Sequence, residues 1–318
     1  MIFHPYFSIV IPSFNRAALI SRAIDSCLAQ DFTDFEVIVV DDASTDSTLD
    51  VVGGYGDPRI QVVRAGSRRG VCPARNAGVA AAGGDWIVFL DSDDELAAGA
   101  LRLFHANTHE VGGDVHQLRF MCRWDNGRLS PIPPLREEEW DYLGYVRFVE
   151  RCVGGNSETM SCVRATTFAT VRFPEDRSYE ALYHLDFALH FKTRTYPEVA
   201  RIYHTDAGDQ ISFAPNPAHW LSVAPDHFRS LETALVRHGA ALRQHAPRAY
   251  NELLRSAAKF AFLAGRRRRA LALLLKLARR APLSPKGWVL LVVGTIGPRT
   301  LARVDGLRAT ISRLSPHC

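Results

Sequence analysis

The stretch "WIVFLDSDDEL", Trp86–Leu96, runs from an apolar segment straight into a cluster of carboxylates. Its first five residues are typical of a buried strand, and Asp91, Asp93 and Asp94 follow within four positions. Three negative charges this close repel one another, so the cluster needs a positive charge that offsets the repulsion. The segments upstream indicate which kind of sheet this strand belongs to.

Apolar runs alternate with helix-like segments upstream of this stretch. The predicted strands are "YFSIVIP", "EVIVVDD" and "RIQVVR", and the helices between them include "ALISRAIDSCLAQ" and "PARNAGVAAA". Strands that alternate with helices are typical of β-α-β units, and β-branched runs such as "VIVV" suit a parallel sheet covered on both faces. The sequence therefore predicts an α/β fold with a mostly parallel sheet and helices on both faces.

Polar residues follow three of the predicted strands. "PSFN" follows the first strand, Asp41 and Asp42 end the second, and Asp91, Ser92 and Asp93 end the fourth. Ligands bind beyond the carboxyl ends of parallel strands, so we expect these residues to meet at one edge. Carboxylate oxygens suit Mg²⁺ or Mn²⁺ that also carries a diphosphate. We interpret the cluster as such a site, in which the metal offsets the repulsion.

Other interpretations of "DSDDEL" were weighed against this one. The main alternative is a solvated turn that caps a helix from Leu96 onward, because Asp and Ser are common N-cap residues. An EF-hand loop fails because its sixth position is Leu96 and its twelfth is Arg102. No G-x-G-x-x-G follows the first strand, which argues against a dinucleotide site. An aspartate nucleophile of the phosphatase kind stays open, although no second motif supports it.

The charged residues divide the chain near Tyr250. The chain of 318 residues is 47% hydrophobic and carries a net charge of +4, yet residues 251–318 hold 14 Lys and Arg against 2 acidic residues. The segment "FAFLAGRRRRALALLLKLARR" joins an apolar face to a basic face, and "GWVLLVVGTIGP" is too short to span a bilayer. We expect a helical basic tail that either lies on an anionic membrane or packs as a helical subdomain, also between subunits of a homo-oligomer.

Location and partners follow from the remaining composition. The six cysteines are dispersed without a C-x-x-C pair, which predicts reduced thiols in a cytoplasmic protein. The amino-terminal "MIFHPYFSIVIPSF" has no basic leader and predicts a strand instead of a signal peptide. No motif supports nucleic acid binding by the basic tail. We therefore predict a cytoplasmic protein that is free or peripheral on the inner face of the membrane.

Four motifs in this order resemble a known family. "IVIPSFNR", "VIVVDDASTDST", "GVCPARNAG" and "WIVFLDSDDEL" are similar to the nucleotide-diphospho-sugar domain of family 2 glycosyltransferases, which are inverting enzymes with the GT-A fold. The resemblance covers residues 5–110 well and 110–215 loosely. It implies a catalytic domain over residues 1–218, with a nucleotide-sugar-binding half at 1–110 and an acceptor-binding half at 111–218. Residues 219–318 then form the helical basic tail.

The resemblance assigns donor binding to the strand ends. It implies that the base and ribose are lined by Pro12, Ser13, Phe14 and Asn15. Asp41 then accepts a hydrogen bond from the base, which suits an acceptor-only carboxylate. Arg75 lies near the nucleotide or its phosphates. In the D-x-D formed by Asp91, Ser92 and Asp93, the second aspartate binds the metal directly and the first holds ribose or metal-bound water. Structural roles in the turn and the next helix cap are expected for Asp42, Ser44, Thr45 and Asp46.

Two further residues receive roles from the second half of the chain. An inverting displacement needs one base, and the resemblance places it as the Asp of a Glu-Asp pair that opens a helix. In "SYEALYHLDFALHFKT", Asp186 occupies this position, Leu185 replaces the usual Glu, and Glu180 is the rival base. In "ARIYHTDAGDQIS", His204 is implied as a third metal ligand or as a contact of the leaving diphosphate.

The resemblance implies a metal-dependent inverting glycosyltransferase. It moves a sugar from a nucleotide-diphosphate sugar, with a UDP-sugar as the first choice, to a hydroxyl of a saccharide or lipid-linked acceptor. Mn²⁺ or Mg²⁺ is the implied cofactor, and cell-surface polysaccharide or glycolipid synthesis is the implied process. The departure at Leu185 keeps a second function open, namely a catalytically silent nucleotide-sugar-fold binding protein that acts through its basic tail.

Overall fold

The computed structural model describes residues 4–155, 157–177, 180–206, 217–282 and 285–304. The chain divides into two compact units. The first comprises Met1–Asp176 and Tyr183–Ala207, and the second comprises Arg177–Leu182 and Gly208–Cys318. The division of the first 218 residues into a nucleotide half and an acceptor half stays a prediction.

The first unit is built on one ten-stranded sheet. Its strands are β1 (Phe7–Ser13), β2 (Phe35–Asp41), β3 (Ile60–Arg64), β4 (Trp86–Phe89), β5 (Glu95–Leu96), β6 (Val115–Trp124), β7 (Leu129–Ser130), β8 (Glu138–Trp140), β9 (Thr159–Arg164) and β10 (Lys192–Tyr203). Its helices are α1 (Ile20–Leu28), α2 (Thr48–Gly53), α3 (Val71–Ala81), α4 (Ala100–Glu110), α5 (Tyr142–Arg151) and α6 (Ala181–His190), with a 3₁₀ turn at Ala165–Ala169.

The strand order explains why one edge of the sheet collects functional residues. The order is β3-β2-β1-β4-β9-β6-β10-β5, with β7 paired to β6 and β8 to β10. β1 is parallel to β2 and β4, and β9 runs antiparallel between β4 and β6. Because β10 is parallel to β6, the carboxyl ends of β1, β2, β4 and β10 all lie at the same edge. The predicted α/β fold with a central sheet flanked by helices is confirmed, and the sheet is mixed, with parallel pairing along β3-β2-β1-β4 and between β6 and β10.

Alternating side chains bury both faces of the sheet. Along β1, Phe7, Ile9 and Ile11 join a core with residues of α1 and α4, whereas Val10 joins a second core with residues of α3 and α6. Helix α3 packs closely on β1 because residue 78 is glycine. A Cβ atom at Gly78 would lie 2.3 Å from a methyl carbon of Val10. The predicted covering of both faces therefore follows from the period-two pattern of the strands.

Two local predictions have different outcomes. Helix α4 begins at Ala100 after Gly99, whose φ of 75° is left-handed, and β5 lies between α4 and the aspartates. The alternative that the aspartates cap a helix from Leu96 onward is therefore wrong, because the chain first forms a strand there. The turn signal Asn126-Gly127 in the sequence corresponds to an observed turn, which joins β6 to the antiparallel β7.

The second unit is helical. Its helices are α7 (Pro217–Arg237), α8 (Gly239–His245), α9 (Pro247–Leu263), α10 (Arg267–Ala278) and α11 (Pro285–Ile296). His227 stacks on Phe260 at 4.7 Å, and the Leu273, Leu274 and Leu277 side chains of α10 are buried. The basic tail thus has a packed core of its own. Among the helices that the structure describes, none combines the length and apolar character needed to cross a bilayer.

Candidate active site

The aspartate cluster after β4 is brought against the end of β10 by a reversal of the chain. The amide of Asp94 donates to the carbonyl of Asp91 at 3.1 Å, which forms a tight turn. β5 then pairs antiparallel with the end of β10, so that Arg201 lies opposite Leu96. A basic residue at the end of one strand therefore lies beside the acidic end of another.

Arg201 is the buried centre of this cluster, with a side chain that is 6% exposed. Its Nη1 lies 3.3 Å from Asp91 Oδ2, its Nε lies 3.2 Å from Asp94 Oδ2, and its Nη2 donates to Glu158 Oε2 at 2.8 Å. Glu158 precedes β9, whose antiparallel direction places its beginning at this edge. One guanidinium thus faces three carboxylates, two from the turn after β4 and one from the segment before β9.

Asp91 is held by a second arginine as well. Arg75 of α3 is buried, and its Nη2 donates to Asp91 Oδ1 at 3.0 Å. Burial alone would raise the pKa of Asp91, but Arg75 and Arg201 lower it below its ordinary value. Arg75 was predicted to lie near the nucleotide or its phosphates, and the structure shows it bound to Asp91. The repulsion among the aspartates is therefore offset by protein cations, which the sequence analysis had attributed to a metal.

Asp93 differs from its two neighbours. Its carboxylate forms no hydrogen bond or ion pair with another residue in the described part of the chain, although its carbonyl accepts from Arg22. Burial and the nearby Asp91 charge raise the pKa of Asp93. An added cation would counter both effects, so the donor set fits a divalent metal at Asp93. Ser92, between the two aspartates in sequence, is buried.

The predicted metal ligands are only partly brought together. The backbone N–H of His204 donates to Asp94 Oδ1 at 2.9 Å, and its Nε2 lies 2.6 Å from Glu95 Oε1. No three His, Cys, Asp or Glu side chains of the described residues are grouped closely enough to hold a metal by themselves. A cation here would need oxygen ligands from the bound donor. The role of His204 stays a prediction.

The ends of β1 and β2 hold two buried polar atoms without partners. Ser13 and Asp41 are paired in register, and both are buried. Asp41 Oδ2 accepts from the Ser44 amide at 3.2 Å, but Asp41 Oδ1 and Ser13 Oγ have no hydrogen-bond partner in the described residues. A buried polar atom without a partner is destabilising unless a ligand satisfies it. The geometry therefore suits a ligand that donates to Asp41.

The loops after β1 and β2 are locked together by their polar residues. The backbone N–H of Asn15 donates to Ser44 Oγ at 2.9 Å, and the side-chain Oδ1 of Asn15 accepts from the backbone N–H of Thr45 at 2.8 Å. Asp46 accepts from the amides of Ala17 and Thr48. Asn15 and Ala43 both have positive φ, 52° and 62°, which is uncommon outside glycine. These contacts hold the two strand-end loops as one unit.

Asp42 has a structural role that contrasts with Asp41. Its two carboxylate oxygens accept from the amides of Arg69 and Gly70, each at 2.7 Å. This fixes the segment that leads into α3. In the same region, the Arg68 guanidinium lies 3.8 Å from the centre of the Phe14 ring. The ring of Phe14, which was predicted to line the base and ribose, is therefore covered by a cation on one side. Pro12 is buried within β1 opposite Val40.

The predicted base, Asp186, lies on α6. Asp186 is partly exposed, and its charge, together with burial, raises the pKa of Tyr142 at the start of α5. Leu185 is buried, as are Tyr183 and Phe187 of the same helix. The Leu at the position where Glu is usual is thus a packing residue. Glu180, the rival base, is partly buried just before α6.

Sequence reasoning missed three residues of this edge. They are Arg201, Glu158 and Arg68. Arg201 had a signal, because it stands within the short apolar run of Val199, Ala200 and Ile202, where a buried charge needs a partner. Glu158 and Arg68 have no comparable signal, since their partners are distant in sequence or lie on another loop.

Comparisons with known proteins agree with this architecture. The sequence model described as Glycosyl transferase family 2 matches residues 8–140. The crystal structure of S. aureus TarS 1-349 in complex with UDP-GlcNAc is similar, with a TM-score of 0.59, 19% identity and coverage of 96% of this chain and 92% of that chain. The mannosyltransferase PcManGT from Pyrobaculum calidifontis, in complex with GDP-Man and Mn²⁺, gives 0.50 and 19% over 100% and 89%. These likenesses establish a shared fold.

Curated relatives add sequence similarity. The succinoglycan biosynthesis protein ExoO of Rhizobium meliloti is 40% identical over 111 residues, 35% of this chain and 32% of the relative. The chain thus spans about a third of the length of the first curated relatives that it matches. An uncharacterized glycosyltransferase of Haemophilus influenzae is 37% identical over 188 residues, 57% of this chain and 71% of the relative. With that coverage and the match over residues 8–140, the chain belongs to glycosyl transferase family 2.

Proposed function

We propose that the protein transfers a sugar from a nucleotide-diphosphate sugar to an acceptor hydroxyl. The observation that carries the proposal is a pair of buried atoms, Asp41 Oδ1 and Ser13 Oγ, that have no hydrogen-bond partner among the described residues. They lie at the edge that also holds Asp93, whose carboxylate pairs with no other described residue. The first pair suits a base and ribose, and Asp93 suits the cation of a diphosphate. TarS and PcManGT, which have the same fold, bind UDP-GlcNAc and GDP-Man with Mn²⁺ respectively.

Different residues of the chain have different roles in the proposed inverting displacement. The acceptor oxygen bonds to the anomeric carbon, the bond from that carbon to the diphosphate breaks, and the acceptor proton passes to the Asp186 carboxylate. Asp91 and Ser92 orient the ribose side of the donor, and Asp93 with His204 would hold Mn²⁺ or Mg²⁺. When bound, the cation neutralises charge on the departing diphosphate. A UDP-sugar is the first donor to test, and a saccharide or lipid-linked acceptor in polysaccharide or glycolipid synthesis is the proposed substrate class.

Release of nucleoside diphosphate from a panel of UDP- and GDP-sugars, with Mn²⁺ and with EDTA, tests this function. We expect metal-dependent release that Asp186→Asn lowers about 10²- to 10⁴-fold while donor affinity stays near wild type. Glu180→Gln is the matched comparison. Loss of release in the Glu180 variant alone would move the base there. Binding without release from any donor would favour the silent binding protein, which the buried Leu185 keeps as the second candidate.

We further propose that the second unit lies on an anionic membrane. Arg266–Arg269 are exposed, and Trp288, Val292 and Ile296 are exposed four residues apart along α11. Such a surface joins apolar insertion to attraction for acidic lipids. Co-sedimentation with vesicles at low salt tests it, with and without phosphatidylglycerol, on the wild type and on a variant in which Arg266–Arg269 are changed to Gln. Binding that depends neither on the anionic lipid nor on these arginines contradicts association with an anionic membrane. A mass above that of the monomer in light scattering would instead support a homo-oligomer through these helices.

A further inference from the structure

The acidic edge contains more charge than one donor-bound cation requires. Four carboxylates, those of Asp91, Asp93, Asp94 and Glu158, lie where the first unit is proposed to bind the donor diphosphate. Three of them face Arg201, and Asp91 also faces Arg75. Asp93 is the member of the group that lacks a pairing with another residue in the described chain. The carboxylates are therefore not equivalent.

The arrangement of Arg201 is specific to its planar side chain. Each of its three nitrogens faces a different carboxylate, at 3.3 Å for Asp91, 3.2 Å for Asp94 and 2.8 Å for Glu158. The contact with Asp94 is an ion pair without good hydrogen-bond geometry, and the other two are hydrogen-bonded. A guanidinium fork fixes its partners in direction as well as distance, which a lysine ammonium does not.

Burial makes these contacts structurally decisive. Arg201 and Asp94 have side chains that are 6% and 1% exposed, so neither charge is screened by bulk water. Asp94 in turn accepts the backbone N–H of His204, and Tyr203 lies with its ring 5.3 Å from the Arg201 guanidinium. The position of Arg201 thus sets the position of the aspartate turn and of the segment that follows β10.

We propose that Arg201 is the positioning residue of the donor site. It binds Asp91, Asp94 and Glu158, and thereby leaves Asp93 as the carboxylate that meets the cation of the donor diphosphate. This inference rests on the proposed function, because it needs a nucleoside diphosphate at this edge. It assigns the metal-dependent part of donor affinity to Arg201, and the metal-independent part to Ser13 and Asp41 on the neighbouring strands.

The chain offers a matched control on the same strand. Arg194 lies on β10, is more exposed than Arg201, and pairs with Glu137 and Glu139. Its pairs involve neither the aspartates after β4 nor Glu158. Removal of Arg194 therefore deletes a β10 arginine and two ion pairs without touching the proposed donor site.

Calorimetric titration with UDP and GDP, each with and without Mn²⁺, tests the proposal on full-length protein. We expect Arg201→Met to lower Mn²⁺-dependent affinity at least about tenfold, with metal-free affinity within about twofold of wild type. Arg201→Lys should recover part of the loss, and Arg194→Met should bind as wild type does. Unchanged Mn²⁺-dependent affinity in a folded Arg201→Met protein would overturn the proposal. So would an equal loss with and without Mn²⁺, which indicates general disruption.

A second variant decides the matter if Arg201→Met does not fold. Glu158→Gln keeps the shape of a half-exposed partner and weakens its hold on Arg201, so the fold should persist. We expect a loss of Mn²⁺-dependent affinity of about threefold or more, and no change would count against the proposal. Absence of nucleoside diphosphate binding by the wild type would instead overturn the proposed function. The two failures are therefore distinguishable.

Discussion

The ends of β2 and β4 present aspartates at the same edge of the sheet but use them in opposite ways. At the end of β2, one buried oxygen of Asp41 has no hydrogen-bond partner among the residues that the structure describes. At the end of β4, Asp91 is contacted by two arginines, Arg75 and Arg201. The β2 end can therefore accept a hydrogen bond from a ligand, whereas at the β4 end two arginines offset the charge of Asp91. Similar residue types in similar positions are therefore distinguished by their neighbours.

This contrast indicates a division of recognition along the edge. An unpartnered acceptor discriminates between ligands by the hydrogen-bond donors they offer, because a wrong ligand leaves it unsatisfied. At the β4 end, buried arginines fix the position of Asp91, and the neighbouring Asp93 is the carboxylate that suits a cation. We therefore expect the β2 end to read the nucleoside and the β4 end to hold the diphosphate. Each prediction below tests that separation.

The largest effect is expected at the β4 end. Asp93→Ala removes the carboxylate that pairs with no other residue in the described part of the chain, so Mn²⁺-dependent affinity for UDP or GDP should fall at least roughly 100-fold. Isothermal calorimetry measures this loss. Asp114→Ala is the control, because Asp114 is exposed and pairs with Lys192. Wild-type affinity in the Asp93 variant would show that the cation is held elsewhere, and would remove the contrast between the two ends.

A large effect on stability is expected next to Asp41. Asp42→Ala leaves the amides of Arg69 and Gly70 without their acceptor, and both hydrogen bonds are short and charge-assisted. The free energy of unfolding should fall by about 3 kcal/mol, measured by urea denaturation. Asp34→Ala, at an exposed position in the loop before β2, should change it by less than about 0.5 kcal/mol. A stable Asp42 variant would mean that both aspartates of the β2 end are available to a ligand.

Much of this edge could be predicted because its signals are local. Phe7, Ile9 and Ile11 alternate with Val10 within one short segment, and that alternation alone predicts a strand covered on both faces. The parallel β-α-β pattern then places Asp41 and Asp91 at one edge. The resemblance to family 2 glycosyltransferases, which the comparisons confirm, supplied the roles of these residues.

The remaining features depend on pairings between distant segments. Arg201 meets the aspartates only because the chain reverses after β4 and pairs with β10, which no local pattern encodes. Glu158 joins them because β9 is inserted antiparallel between β4 and β6. In α6, Leu189 has helical spacing with Leu185, yet Leu185 is buried and Leu189 is exposed. Tertiary packing therefore decided what periodicity left open.

A smaller effect is expected at the β2 end. Asp41→Asn replaces an acceptor-only group by an amide that also carries donors, so metal-free affinity for the nucleoside diphosphate should fall about tenfold. The gain in affinity that Mn²⁺ produces should stay unchanged, as calorimetry with and without the ion would show. Loss of that gain would contradict the separation of the two ends. Urea denaturation controls for a change in fold.

The smallest effect concerns the buried cations behind the β4 end. His184 on α6 lies 3.4 Å from Arg119, and burial, with the charges of Arg119 and Arg75, holds the pKa of His184 well below 6.5. Below about pH 6.5, His184 therefore binds a proton in the unfolded chain but not in the folded chain. The free energy of unfolding has its full value above about pH 6.5. It falls as the pH falls, and His184 contributes at most about 1.4 kcal/mol per pH unit to this decline.

His184→Gln should flatten this decline between pH 6.5 and 5, as urea denaturation at several pH values would show. His190→Gln, at the exposed end of the same helix, is the control and should leave the profile unchanged. A wild-type slope retained in the His184 variant would mean that other groups carry it. Burial and the charges of Arg119 and Arg75 would then not set the pH dependence through His184, and the contrast between the two strand ends would concern the sheet edge alone.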